Sequence, residues 1–245
     1  MKPRLTVHLH TTLDGKIEGP HLFTRESLAS QRHYYNMIVG KDGPFPGHRG
    51  WLAGTTTGDL ATQYKEPDLD PGAPEVPEGD FIAPHDEEIH HFSIDPRGRL
   101  GWEKNYLEYF ETRAHIVELL SEQASNAYKA FLRKRQISYV IAGSDQLDLV
   151  LAMEKLQKHF GMKEFLLNGG GGVNWSFIKA GLVDEVSVVL SPVADGATDT
   201  ASLFDANPKY NDTAPVAFTL LSHSVLDDGS LWLRYRVDGP ATPLN

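Results

Sequence analysis

The sequence contains no cysteine among its 245 residues. Disulfide bonds, iron–sulfur clusters, thiolate nucleophiles and cysteine-ligated zinc are therefore excluded, and a reducing compartment is the natural interpretation. The chain also lacks any run of about 18 apolar residues, and its first residues lack the apolar stretch and cleavage site of a signal peptide. Together these absences predict a cytoplasmic protein without a membrane partner.

Basic residues are few: 23 lysines and arginines face 33 aspartates and glutamates, which gives a net charge of −10. This balance removes the attraction to phosphate on which sequence-independent nucleic-acid binding depends. Glycine and proline together number 37 (22 plus 15), too few for a collagen-like or wholly disordered chain. We therefore predict a globular protein that does not bind nucleic acid.

The negative charge is concentrated in one segment, residues 65–90. It contains nine acidic residues, one lysine and five prolines, and so supplies −8 of the net −10. This composition is typical either of a solvated surface excursion or of a loop that forms the rim or lid of a site. Because no second linker interrupts the chain, we expect a single domain over residues 1–245 with one acidic, proline-rich loop.

Hydrophobic patterning predicts alternating strands and helices. Thr24 and Ser144 are each suited to cap a helix, Gly161 is suited to end the second helix, and a short helix is expected from Asn174 to Ala180. The expected strands lie at 4–10, 50–54, 91–94, 115–120, 137–143, 164–167, 185–190, 218–225 and 231–237. Residues 137–167 form a β-α-β unit with parallel strands, and the last two strands form a hairpin, so the pattern predicts an α/β fold with a mixed sheet.

A glycine run follows the strand at 164–167. It consists of Gly169, Gly170, Gly171 and Gly172 and leads into the expected short helix. Glycines let a backbone approach a ligand closely, and a helix N-terminus attracts an anion such as pyrophosphate. The run lacks G-x-G-x-x-G spacing, because its sixth position is Asn174, and it lacks the lysine of a P-loop. A phosphate site and a flexible turn therefore both stay open.

Two further strand ends carry residues suited to phosphate. The first consists of Gly54, Thr55, Thr56 and Thr57, which offer backbone N–H groups and hydroxyls but are equally common as a helix cap. The second is the turn from Ser93 to Arg99, where Arg97 or Arg99 could pair with a ribose 2′-phosphate or be merely solvated. Three such turns favour a nucleotide site, because open α/β sheets bind ligands at strand ends.

Eleven histidines raise the question of a metal site. His8 and His10 share one face of a strand, but no third ligand is evident for them. The group of histidines and acids from His85 to His91 is more typical of a loop and a strand entry than of a metal centre. We therefore predict no metal.

The chain resembles the reductase domain of the riboflavin-pathway bifunctional deaminase-reductase family. The resemblance covers about Arg4 to Val237 and rests on Leu13-Asp14-Gly15-Lys16, Gly54-Thr55-Thr56-Thr57, Asp95 to Leu100 and, above all, residues 165–196. It implies a dihydrofolate-reductase-like fold, with a mixed, mostly parallel central sheet flanked by helices and a C-terminal antiparallel hairpin. It also implies NADPH held by the glycines and Asn174, and usually a homodimer. The family's zinc deaminase half needs cysteines, so a stand-alone reductase-like domain is expected.

Two positions and one short motif depart from the pattern of this family. Its glutamate before the glycines is Asn168 here, and its lysine or asparagine on the first strand is His8; its Asp-x-Pro after the Gly-Thr element is also missing. An amide cannot exchange a proton at neutral pH, whereas imidazole can. We therefore predict His8 and Asp14 as the substrate-side catalytic pair and Asn168 as a residue that binds or orients. The alternative for Asp14 is a simple turn residue beside Gly15.

The predicted function is hydride transfer from NADPH to a small pyrimidine-ribosyl, pteridine, carbonyl or imine substrate. The departures at His8 and Asn168 predict that the natural substrate differs from 5-amino-6-(5-phosphoribosylamino)uracil, the riboflavin-pathway intermediate that the resemblance implies. They are equally compatible with a non-catalytic nucleotide-binding or regulatory module of the same fold. A dimeric structural protein, in which the glycines are only turns, is a third interpretation.

Overall fold

A computed structural model describes residues 3–40, 43–109, 111–207 and 212–243. The strands within these ranges are β1 (Arg4–Thr11), β2 (His48–Gly54), β3 (Ile89–Ile94), β4 (Tyr106–Tyr109), β5 (Thr112–Leu120), β6 (Ser138–Ile141), β7 (Glu164–Leu167), β8 (Glu185–Leu190), β9 (Val216–Val225) and β10 (Leu231–Pro240). The helices are α1 (Arg25–Val39), α2 (Thr55–Ala61), α3 (Asn126–Lys134), α4 (Leu149–Phe160) and α5 (Gly171–Lys179), with a 3₁₀ turn at Pro20–Phe23.

Contacts between residues divide the chain into two compact units. The first unit contains Pro3 and the stretch from Gly47 to Phe165. The second contains the stretch from Arg4 to Pro46 and the chain from Leu166 onward, so the boundary falls within β7. The single domain expected over residues 1–245 stays a prediction.

The first unit is built on parallel strands. β2 pairs with β3, β3 with β5, and β5 with β6, all in parallel, while β4 lies antiparallel to the first half of β5. Helix α3 joins β5 to β6 and buries Tyr128, Phe131 and Leu132 in a core with Ile116 and Leu120. Two neighbouring parallel strands need a crossover connection, and α3 provides it in the β-α-β unit formed by β5, α3 and β6.

The second unit combines a parallel pair with the terminal hairpin. β1 runs parallel to β8 with His8 opposite Ser187, β8 is antiparallel to β10, and β10 is antiparallel to β9. Helix α1 packs against β1 and β8. As predicted, Thr24 caps this helix, and its side chain accepts from the N–H of Ser27.

These pairings confirm the predicted α/β class, with a mostly parallel mixed sheet and a C-terminal antiparallel hairpin. The prediction that Ser144 caps the second helix is wrong. α4 begins five residues later, where the Oδ1 of Asp148 accepts from the N–H of Leu151 at 3.0 Å. Gly161 ends α4 in the left-handed conformation, as predicted.

The acidic segment is irregular up to residue 88, where it meets β3. It is nevertheless attached to the first unit: Phe81 forms a β-bridge with Tyr139, and Asp80 accepts from the N–H of Ile141 and pairs with Lys155. These contacts hold its second half against the strand β6. Among the helices in the described part of the chain, none combines the length and apolar character that crossing a membrane requires.

Candidate functional site

The glycine run joins β7 to α5 in the second unit. α5 begins at Gly171, so the prediction that this helix starts at Asn174 is wrong by three residues. Gly170 is the N-cap, with φ −67° and ψ 165°, and it provides no side chain to accept from the first backbone N–H groups. A helix start without a side-chain cap, at the positive end of the helix dipole, is suited to an anion.

The glycines differ in the space around them. A Cβ added at Gly171 would lie 2.4 Å from Oδ2 of Asp205, and one at Gly169 would lie 2.7 Å from Oδ1 of Asn174. Packing inside the protein therefore explains both glycines. At Gly170, by contrast, nothing lies within 4 Å of an added Cβ, and the backbone angles are open to other residues. Gly170 has the most open surroundings in the run.

Asn174, predicted to contact the cofactor, is fully buried within α5. Its Nδ2 donates to the backbone oxygens of Gly169 at 2.9 Å and Leu203 at 3.1 Å. These two bonds tie the glycine turn to α5 and to the segment that contains Leu203. The described contacts of Asn174 thus shape the turn, and a contact with cofactor stays a prediction.

Asn168 lies beside His8 and Tyr34. Its Nδ2 donates to the backbone oxygen of His8 at 3.0 Å and to the Tyr34 hydroxyl at 2.6 Å. Its Oδ1 is buried and has no hydrogen-bond partner among the described residues. A buried acceptor of this kind carries a free-energy penalty unless a ligand or water donates to it. Tyr34 could not be predicted from the sequence, because nothing in the spacing of α1 marks it.

His8 is fully buried, and both of its ring nitrogens have partners. Nε2 lies 3.3 Å from the backbone oxygen of Tyr34, and Nδ1 lies 2.9 Å from the hydroxyl of Ser187. Because a carbonyl oxygen only accepts, Nε2 carries a proton, so in the neutral ring Nδ1 accepts from Ser187. The Ser187 oxygen accepts in turn from Nε1 of Trp232 at 2.9 Å. Both ring nitrogens are therefore engaged within the protein, and the predicted role of His8 toward a substrate stays a prediction.

Asp14 follows β1 and has an exposed carboxylate with several donors. It accepts from the Thr12 hydroxyl at 2.5 Å and from the N–H groups of Asp195 at 3.1 Å and Gly196 at 2.7 Å. The hydrogen bond from Thr12, followed by those two N–H groups, lowers the pKa of Asp14 far below its usual value. The carboxylate therefore fastens the loop at 195–196, and its predicted pairing with His8 stays a prediction.

The Gly-Thr element lies in the first unit, where β2 ends at Gly54. Gly54 is the N-cap of α2 and offers no side-chain cap, so Thr55, Thr56 and Thr57 form the first turn of this helix. Thr56 is exposed to solvent. The geometry suits both alternatives left open by the sequence, a phosphate contact and an ordinary helix start.

The turn after β3 is shaped by Asp95. Its buried carboxylate accepts from the N–H groups of Arg99 at 2.6 Å and Leu100 at 3.0 Å. Gly98 adopts a φ of +70°, and an added Cβ there would lie 2.3 Å from the Tyr128 ring, so only glycine fits. The Asp95 carboxylate therefore faces the protein, as does the fully buried side chain of Ser93.

The two arginines of this turn have different surroundings. Arg99 forms a two-pronged ion pair with Asp59, at 2.9 Å and 2.6 Å. Arg97 is exposed, and no hydrogen bond or ion pair is described for its side chain. An exposed guanidinium without a carboxylate partner is the better candidate for a phosphate. The predicted cofactor residues thus fall in both units: the glycines and Asn174 in the second, the others in the first.

The model of the family described as the RibD C-terminal domain matches residues 102–231, more than half of the chain. A 2,5-diamino-6-ribosylamino-4(3H)-pyrimidinone 5′-phosphate reductase from Methanothermobacter thermautotrophicus is 40% identical over 86 residues. That match covers 35% of this chain and 39% of the relative's own length.

Solved structures share the fold at low sequence identity. A pyrimidine reductase-like protein from Corynebacterium diphtheriae is similar with a TM-score of 0.61 and 14% identity, covering 96% of this chain and 92% of that one. Acinetobacter baumannii RibD is similar with a TM-score of 0.59 and 17% identity, covering 96% of this chain and 58% of that one. These structures share the fold of the chain, and the match of the family model over more than half of its residues shows that it belongs to the RibD C-terminal domain family.

Proposed function

We propose that this chain is an NADPH-dependent reductase that acts on a small pyrimidine-ribosyl substrate. Family membership and the name of the Methanothermobacter relative support a reductase and this substrate class. NADPH, when bound, supplies the hydride, and the protein has to bind and orient both reactants. Pteridines and simple carbonyl or imine compounds are further substrates to be compared.

The observation that carries the cofactor assignment is the open space at Gly170. The glycine precedes an uncapped helix N-terminus, and a side chain there would meet no protein atom within 4 Å. A pyrophosphate bound in this space would explain why the position is occupied by glycine, which has no Cβ. The residues present therefore fit a dinucleotide phosphate.

The test replaces Gly170 with valine and uses Gly72→Val as the matched control. Gly72 lies in the acidic segment, and a Cβ there would meet only Oδ1 of Asp70, at 3.4 Å. In fluorescence titrations with NADPH, Gly170→Val should lose binding at least tenfold while its thermal unfolding is unchanged, and Gly72→Val should bind normally. Equal NADPH affinity in the parent and in Gly170→Val would reject the assignment.

The preference for NADPH over NADH is assigned to Arg97. Arg99 is engaged by Asp59, and the carboxylate of Asp95 faces backbone N–H groups instead of a ribose diol. Dissociation constants for both cofactors at fixed salt should favour NADPH, and Arg97→Ala should remove most of that preference. Arg99→Ala serves as the comparison and should have the smaller effect. Equal affinities for the two cofactors in the parent protein would contradict this part of the proposal.

On the substrate side, Asn168 is assigned to bind and orient through its unpaired Oδ1. Because an amide and a histidine replace the family's usual groups, we expect 5-amino-6-(5-phosphoribosylamino)uracil to be reduced poorly relative to the diaminopyrimidinone phosphate. Proton donation by His8, with Asp14 nearby in sequence, would require its Nε2 to leave the Tyr34 oxygen. An unchanged rate in His8→Ala would remove His8 from the reaction.

The engaged state of His8 and Asp14 favours a second candidate, a nucleotide-binding module without catalysis. Each carboxylate oxygen of Asp14 and each ring nitrogen of His8 already has a partner within the protein. Binding of NADPH without turnover of any candidate substrate would support this alternative.

A homodimer belongs to the same proposal and rests on the family resemblance. Sedimentation equilibrium should give about twice the chain mass of 27.2 kDa. A single-chain mass throughout the micromolar range would contradict it.

A further inference from the structure

Two histidines of the first unit point their ring nitrogens at each other. His85 lies near the end of the acidic segment, and His90 lies at the start of β3. Their Nε2 atoms are 3.0 Å apart, and the two rings are nearly perpendicular, at 89°. His90 is buried and His85 is half-buried, so the pair can be reached from the side of His85.

The contacts of the other two ring nitrogens fix the tautomer that each ring has when it is neutral. Nδ1 of His85 lies 2.9 Å from the backbone oxygen of Ala83, and Nδ1 of His90 lies 3.1 Å from that of Arg49. Carbonyl oxygens only accept, so each Nδ1 must carry a proton. In the neutral rings, both Nε2 atoms therefore hold a lone pair, and the two atoms lie only 3.0 Å apart. The two lone pairs repel each other unless one cation binds to both nitrogens.

The same hydrogen bonds are those expected around a metal. Histidine ligands commonly donate their second N–H to a backbone carbonyl, which fixes the ring and directs the other nitrogen at the ion. His115 stacks face to face on His85, with ring centroids 3.9 Å apart, and Phe160 packs edge-on against His90 at 4.7 Å. These neighbours hold both rings in place from the protein side.

We propose, against the expectation of no metal drawn from the sequence, that His85 and His90 form a two-histidine site for a divalent transition-metal ion. With metal–nitrogen bonds of about 2.05 Å, the 3.0 Å separation corresponds to a nitrogen–metal–nitrogen angle of roughly 95°. That angle suits the cis positions of square-planar or octahedral Cu²⁺ or Ni²⁺ better than the wider tetrahedral angle of Zn²⁺. Water would complete the coordination, because no third histidine or carboxylate of the described residues lies within 4.8 Å of both ring nitrogens. Because His85 belongs to the acidic segment, the ion would fasten the end of that segment to β3.

The test is a titration of the full chain with Cu²⁺ and with Ni²⁺ by calorimetry. One strong equivalent is expected, together with a rise in the unfolding temperature, and His85→Gln and His90→Gln should each weaken binding at least tenfold. The matched control is His33→Gln. The potential ligand atoms of His33, Asp227 and Asp228 lie within 4.8 Å of one another, so these three described residues form a separate candidate metal group. This control should keep strong binding at His85 and His90.

A second measurement does not depend on whether a variant folds. Electron spin-echo spectra of the Cu²⁺-loaded parent protein count the coordinated imidazoles, and two are expected. Loss of the strong site in His33→Gln would overturn the proposal, as would fewer than two imidazoles. Absence of strong metal binding would also overturn it and would leave a shared proton as the cation between the rings.

Discussion

At the scale of single residues, the most unusual group is Glu118 on β5. Its side chain is fully buried, and one of its oxygens accepts from Nε1 of Trp102. Burial, reinforced by the nearby charge of Asp95, raises the pKa of Glu118 well above its usual value. The carboxyl is therefore protonated in the folded chain at pH values where it ionises in the unfolded chain.

This difference predicts how stability depends on pH. Because the folded pKa is raised, the contribution is fully present below the usual pKa of 4.5 and is lost as pH rises toward the folded value. Glu118→Gln keeps an oxygen for Trp102 and removes the ionisation. Urea unfolding from pH 5 to 8 should show the variant gaining stability over the parent as pH rises. A constant difference across this range would contradict the assignment.

For His10, in the second unit, the expected pH dependence of stability has the opposite sign. Burial, together with the nearby His21, lowers the pKa of His10 to about 4, and its Nε2 lies 2.7 Å from the Ser30 hydroxyl. Its contribution is present above pH 6.5 and is lost as pH falls toward 4, by at most about 3 kcal/mol for a shift of this size. His10→Gln should therefore flatten the acid side of the stability profile. An acid limb as steep as that of the parent would exclude His10 as its source.

At the scale of elements, the start of α4 provides a paired test. Asp148 accepts from the N–H of Leu151, whereas Ser144 precedes the helix and does not cap it. Asp148→Ala should lower the free energy of unfolding by about 1 kcal/mol. Ser144→Ala should change it by less than about 0.5 kcal/mol, as at an ordinary surface position. The reverse order in urea denaturation would restore Ser144 as the cap.

Several elements could be predicted because their signals are local. The strands at 164–167 and 185–190 were predicted with their observed bounds, since turn residues delimit compact apolar runs there. α3 was missed although Ser125 caps it and Tyr128, Phe131 and Leu132 share one face. α5 was predicted to start late because glycines are weak helix formers, yet the first helical turn tolerates them.

The candidate site was less predictable because its contacts join distant residues. The glycine run and Arg97 stand out in the sequence. By contrast, the partner of Arg99 is Asp59, forty positions away, and Asn168 contacts Tyr34 across 134 positions. The close approach of His85 and His90 depends on the backbone oxygens of Ala83 and Arg49, which no motif encodes. Such pairings become visible only when the strands are placed.

At the scale of the whole molecule, the chain contains two compact units, and the single domain is still to be tested. We expect both units to unfold together. Scanning calorimetry should give one transition whose calorimetric and van't Hoff enthalpies agree. Two resolved transitions would show that the units are separate domains.

The activity proposed for this chain is hydride transfer from NADPH. The most direct measurement incubates the protein with NADPH deuterated at the transferable position and, in turn, the diaminopyrimidinone ribosyl phosphate, a pteridine and a simple carbonyl compound. Mass spectrometry of the products then shows where the deuterium goes. We predict deuterium in the reduced pyrimidinone product, one NADPH consumed for each product formed, and loss of both in Gly170→Val. NADPH binding with no deuterium in any product would contradict this proposal.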